Sequence, residues 1–217
     1  LKSYDLDIIG IQEIDVFVNR SGNIDVLKEI ALAGDYQYYQ FYKTINYQNG
    51  DYGLGIISKY PIIYISQIAL SHSQEQRILV HSQIDIDGRS INFLVTHLEL
   101  GRYEDNRIHQ FKQIEKSLNQ LKSFILTGDF NVQDWRIPGN IFEFEQHFQG
   151  YNIVNNPSNT FLTYSGKECI GGGISPIDNI ITSPNFEIIN PQMIDTDLSD
   201  HDLLICELDI QQLTFLS

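Results

Sequence analysis

Residues Arg77–Ile86 alternate with a period of two. Ile78, Val80, Ile84 and Ile86 fall on one side; Leu79, His81, Gln83 and Asp85 fall on the other. Only a strand presents side chains this way. Asp87-Gly88 follows, a dipeptide that suits a two-residue hairpin turn, and residues 91–97 are the returning strand. Further strand-like runs cover residues 7–12, 53–58, 124–129, 177–182 and 203–208. A purely parallel sheet needs a helix between most strands, and helical periodicity is too scarce here. Residues 104–121 form the clearest helix, with Ile108, Phe111, Ile114, Leu118 and Leu121 on one face. Residues 24–33 form a second, capped by Asn23, and residues 140–148 a third, weaker one. The expected architecture is α/β: packed sheets rich in hairpins, with helices outside.

A chain of 217 residues is long enough for one domain with a sizeable core. Its formal net charge of −14 argues against tracking along duplex nucleic acid, which calls for a basic face. A local cationic cleft remains compatible, because bound Mg²⁺ reverses the local potential. Two cysteines, Cys169 and Cys206, make no disulfide framework, and Cys206 within an apolar run is expected to be a buried thiol. No apolar run is long enough to span a bilayer, and no signal segment opens the chain, so a soluble, cytoplasmic protein is expected. No exposed apolar hairpin suited to membrane docking is evident. Met193 is the sole methionine, which places a natural start upstream of Leu1.

Polar groups stand at the ends of the apolar runs: Glu13, His97, Asp129, Asn131, Asp178, Asp200 and His201. Such tips tend to project into a cleft. Carboxylates, an amide and imidazoles suit metal-assisted attack on a phosphoryl centre, since a hard cation takes oxygen ligands and water needs a base. Each has a plainer reading. Asp129 in Gly128-Asp129-Phe130-Asn131 serves equally as a turn residue, and a lone His97 as a hydrogen-bonded core histidine. Tyr36-Gln37-Tyr38-Tyr39-Gln40-Phe41-Tyr42 reads as a strand packed on both faces before it reads as a base-stacking platform. Gly171-Gly172-Gly173 lacks the lysine and helix of a phosphate-binding loop and is taken as a loop beside Asp178. Arg102 and Arg107 are candidates to grip a second anionic group of a substrate, with a solvated helix start as the alternative.

Taken together and in order, these motifs resemble the endonuclease/exonuclease/phosphatase superfamily of metal-dependent phosphoesterases. The resemblance rests on Ile8-Ile9-Gly10-Ile11-Gln12-Glu13, the stretch from Gly53-Leu54-Gly55 to Tyr60-Pro61-Ile62, Thr96-His97-Leu98, Gly128-Asp129-Phe130-Asn131, Ile177-Asp178 and Ser199-Asp200-His201. It implies a four-layer α/β/β/α sandwich of two packed mixed sheets with outer helices. It implies Glu13 and Asp200 as ligands of Mg²⁺ or Mn²⁺, His201 as general base and Asp178 as its orienting carboxylate. It implies phosphate contacts from Asn131 and His97. Asp129 is left between orienting water, touching metal and protonating the leaving group.

Three departures stand out. The family's first-strand asparagine has no counterpart before Leu1, so residues 1–217 read as one domain apparently lacking its first strand. Asn179 stands where an aromatic is common, and Leu203 where a proline is usual. The expected activity is hydrolysis of a phosphate ester, a small phosphoester or nucleic acid. The rivals are a nuclease and a non-catalytic module that keeps the fold, and no protein partner is identifiable.

Overall fold

A computed structural model describes residues 2–100, 104–132, 138–155 and 177–210. Its contacts group the chain into two compact units, residues 1–97 and 98–217.

The first unit runs β1 (Ile8–Val16), α1 (Val26–Ala33), β2 (Tyr38–Tyr47), β3 (Gly50–Ser58), β4 (Ile62–Leu70), β5 (Arg77–Ile86) and β6 (Arg89–His97). Strands β1, β3 and β2 form an antiparallel sheet in that order, and β4, β5 and β6 pair antiparallel in turn. The two sets of strands pack face to face. Between them the Tyr42 hydroxyl meets Ser82 Oγ at 2.8 Å, so the buried phenol keeps a polar partner. On the outer face of β1–β3–β2 lies α1, whose Leu27 and Ala31 seal against Ile9, Ile14, Val16 and Ile57. Burying Leu27 completely is worth about 1.5–3 kcal/mol.

The Asp87-Gly88 hairpin is present, with positive φ at both residues (51° and 80°). A second tight turn, Gln48-Asn49, has φ of 45° and 69° and joins β2 to β3. Helix α1 starts later than expected. Asp25 caps it by accepting from the Lys28 amide at 3.0 Å, whereas Asn23 sits in a left-handed turn (φ 57°). The aromatic run after Tyr36 enters β2. Tyr39 and Phe41 face the α1 layer and Tyr42 the opposite one, while Tyr36 stays outside the strand and donates to Leu6 O at 2.8 Å. In strand β4, Ile63, Tyr64, Ile65 and Ile68 are all exposed. Its run of apolar residues resembles a buried strand, but among the described residues of this unit it pairs only with β5.

The second unit runs α2 (Glu104–Leu118), β7 (Phe124–Asp129), α3 (Pro138–His147), β8 (Asn152–Ile153), β9 (Asp178–Thr182), β10 (Glu187–Ile194) and β11 (Leu203–Asp209). Strand β9 pairs antiparallel with β7 and β8, and β10 with β11. Helices α2 and α3 meet through the aromatic edges of Phe111 and Phe144, 5.9 Å between ring centres, and Phe130, just after β7, meets Phe144 at 5.5 Å. Helix α2 stops at Leu118, where the chain turns through a Leu121 amide to Leu118 carbonyl bond, so Leu121 is outside the helix. Strand β10 escaped the sequence reading because Asn190-Pro191 interrupts it. The register slips between Ile189 and Gln192, a bulge that lets an exposed strand carry proline. Among the described residues no helix is long and apolar enough to cross a membrane.

Candidate active site

In the first unit Glu13 occupies a β-bulge. Ile11 lies opposite Gly55 and Ile14 opposite Gly53, so Gln12 and Glu13 together face the single residue between those glycines, Leu54. The slip keeps Ile9, Ile11, Ile14 and Val16 on the α1 side, although the last two are out of step with the first two. Glu13 takes φ of 59°, a left-handed conformation uncommon outside glycine, and its side chain is 60% exposed. Its carboxylate lies 3.9 Å from His97 Nε2 at the end of β6. His97 is buried. Thr96 is held by its hydroxyl donating to Ile78 O at 3.0 Å. A second bulge, at Thr44 of β2, lies on the other side of β3 at the level of Tyr52 and Gly53. Tyr52 is buried there with its phenol turned to Glu13. Burial first, then the charge of Glu13, holds its pKa far above the ordinary value.

In the second unit β7 and β9 end together. Asp129 and Asp178 are cross-strand partners, which sets two carboxylates side by side. Phe130, fully buried among the α3 aromatics, anchors the turn that follows, and its amide donates to Ile177 O at 2.7 Å. Asn131 is left-handed (φ 51°). Its amide donates to Asp129 Oδ1 at 2.8 Å, and its side chain donates to Leu98 O at 3.0 Å. Asp129 and Asn131 therefore brace each other as well as standing at the strand end.

His201 completes the cluster. Its Nδ1 lies 2.6 Å from Asp178 Oδ2. The Ser199 hydroxyl accepts from the His201 amide at 3.0 Å, which fixes the turn of Ser199-Asp200-His201. The hydrogen bond to Asp178 raises the imidazole pKa to about 9. Burial opposes the shift, and the charges of Asp178, Asp129 and Asp200 add to it. Ligand atoms of Asp129, Asp178 and His201 lie within 4.8 Å of one another, a spacing that would also admit a metal ion. A short hydrogen bond already occupies Nδ1, so an orienting dyad accounts for these groups more directly than a ligand set. Asp200 is exposed, its carboxylate 3.5 Å from Ser199 Oγ.

Helix α2 carries Arg107, which is only 2% exposed and so is not displayed on an open surface as a solvated helix start would be. Arg102, Cys169 and Gly171-Gly172-Gly173 lie outside the described residues. Cys206 is a free thiol, partly buried, and burial pushes its pKa up to about 11. Sequence reasoning missed Tyr52, Phe130 and a reciprocal clamp beside Asp178. In that clamp the Asn155 amide donates to Asn179 Oδ1 at 3.0 Å, and Asn179 Nδ2 donates to Asn155 O at 2.8 Å. Asn155 Nδ2 also donates to the main-chain carbonyl of Asp178 at 3.0 Å. Asn179, noted as a departure from the usual aromatic, is the visible half of that clamp. The Ile11-to-Ile14 slip was the signal for the Glu13 bulge.

The chain belongs to the Endonuclease/Exonuclease/phosphatase family, whose model matches residues 1–201. Among solved structures it is similar to an endonuclease/exonuclease/phosphatase family protein from Leptotrichia buccalis, at 17% identity and a TM-score of 0.74, over 96% of this chain and 89% of that one. It is similar to D. rerio TDP2 complexed with a single-strand DNA product, at 17% identity and a TM-score of 0.72, over 95% and 87%. It also resembles a mannosyl-6-phosphatase from Bacteroides thetaiotaomicron, at 18% identity and a TM-score of 0.67, over 96% and 87%. No match was found among curated proteins. The family's members are hydrolases, nucleases and phosphatases among them, and the fold of this chain is theirs.

Proposed function

We propose that this protein hydrolyses a phosphate ester in a Mg²⁺-dependent reaction, with water as the attacking group. The observation that carries the reading is the 2.6 Å contact between His201 and Asp178 at the paired ends of β7 and β9. With Nδ1 engaged by Asp178, Nε2 is the nitrogen left to take a proton from water. Asp178 fixes the tautomer and stabilises the imidazolium that forms. Asp129 stands beside this pair and orients the water or the leaving oxygen. Asn131 and His97 contribute hydrogen bonds to phosphoryl oxygens as negative charge develops there.

Glu13 and Asp200 are the proposed metal ligands. Both are exposed carboxylates, hard oxygen donors of the kind Mg²⁺ and Mn²⁺ take, and the exposure leaves room for water and a phosphate oxygen. When bound, such a cation supplies Lewis-acid polarisation of the phosphoryl group. Isothermal titration with Mn²⁺ is expected to show binding that Glu13→Gln and Asp200→Asn each weaken at least about tenfold, the low end for losing one charged contact. Wild-type affinity in both variants would refute the ligand assignment.

The charge of −14 favours a compact substrate over duplex DNA. Neighbours that include a complex with single-strand DNA product and a mannosyl-6-phosphatase support testing both small and single-stranded substrates. With Mg²⁺ at physiological salt, sugar phosphates or short single strands are expected to turn over faster than plasmid duplex. Nicking of supercoiled plasmid without turnover of any compact phosphoester would favour the nuclease reading instead.

A further inference from the structure

Tyr52 is held from several sides. Across the β1–β3 pair it faces Asp15, and Asp15 grips Arg20 with two hydrogen bonds of 2.8 Å each. The Arg20 guanidinium lies 5.5 Å from the centre of the Tyr52 ring and 4.9 Å from that of Tyr47. Thr44, at the β2 bulge, donates to the Tyr52 carbonyl at 2.9 Å. On its other side the ring lines a cleft with Thr44, Leu54, Arg77 and His97, a cleft too narrow for a water molecule. Arg77, itself 6% exposed, contacts Glu75 at 3.1 Å. A phenol this constrained has little rotational freedom left to lose, and its hydroxyl end is turned to Glu13. Glu13 in turn stands on a left-handed bulge with its carboxylate mostly in solvent.

We propose that Tyr52 is the positioning residue of Glu13: its phenolic O–H donates to the carboxylate and holds it in the direction in which it ligates a divalent cation. The proposal rests on the reading of Glu13 as a metal ligand. It accounts for two bulges flanking β3 at one level. One turns Glu13 outward, and the other places the Thr44 hydroxyl on the main chain of Tyr52.

The test uses the full chain and Mn²⁺ alone, followed by the electron paramagnetic resonance of the free ion, with melting curves in parallel. Tyr52→Phe removes one oxygen and leaves the ring for Arg20. It is expected to weaken Mn²⁺ binding about tenfold, the factor that losing one hydrogen bond to a charged group represents. In a Glu13→Gln background the same change is expected to add less than about twofold, because the partner charge is gone. Unchanged Mn²⁺ affinity in Tyr52→Phe, or a lowered melting point with unchanged affinity, overturns the proposal and leaves Tyr52 a packing residue. An equal further loss in the Glu13→Gln background also overturns it. If Glu13→Gln alone binds Mn²⁺ like the wild type, the ligand reading itself fails, and the positioning role with it.

Discussion

His201→Ala is expected to lower turnover of a hydrolysed phosphoester by about 10²- to 10⁴-fold, the range for loss of a positioned general base. Wild-type turnover is expected to rise with pH along a limb lying between the ordinary histidine value and about 9, because the imidazole must lose its proton to act. The hydrogen bond to Asp178 is the largest cause of the raised value, so Asp178→Asn should move that limb down toward 6.5. Positive charge bound at Asp200 would move it in the same direction, since Asp200 is one of the carboxylates that raise it.

The same pair leaves a mark on stability that needs no substrate. A histidine whose folded-state pKa is raised contributes its full stabilisation below its unfolded value of about 6.5. That contribution disappears as pH climbs through about 9. The difference in melting point between wild type and Asp178→Asn should therefore shrink across that window. A flat pH–rate profile, or a loss of only a few fold in His201→Ala, would remove His201 from the role of base.

Gly53→Ala is expected to be the most damaging single substitution in the first unit, costing at least about 4 kcal/mol, a large part of the stability of an ordinary domain. A methyl group there would lie 2.0 Å from the Tyr42 carbonyl oxygen and 3.0 Å from the Thr44 amide. Both are main-chain atoms of the paired strand β2, and neither can swing aside. The β2–β3 register slips at Thr44, opposite this level. Gly22→Ala is the control. Gly22 has φ of 77° with open space around it, so only the conformational penalty applies, about 1 kcal/mol. Denaturant unfolding of the two variants distinguishes a steric clash from a backbone preference. Comparable small losses in both would show that β2 gives way at Tyr42.

The strand ends that carry the candidate site were legible because strand tips are a local property. The apolar runs ending at Asp129 and His97 mark β7 and β6 closely, and the Asp87-Gly88 turn formed as expected. Alternation of side chains and turn chemistry act over a few residues, so the order of letters is enough to read them. The motif order was likewise enough to point to the family that the match over residues 1–201 establishes.

What only the tertiary structure decided depends on partners far apart in the chain. Arg107 reads either as a grip for an anionic group or as a solvated cation on a helix start, and packing leaves it 2% exposed. Strand β4, absent from the strand-like runs read in the sequence, carries four exposed apolar residues and among the described residues pairs only with β5. Glu13 stands on a bulge whose partner strand, β3, lies about 40 residues on. The raised pKa of His201 comes from a carboxylate 23 residues away and from Asp129 across the β7–β9 ladder. Sequence alone determined which chemical groups stand at the strand ends, because that follows from local periodicity. Register, burial and the electrostatic field at those groups arise from contacts between distant segments, and these only the folded chain specifies.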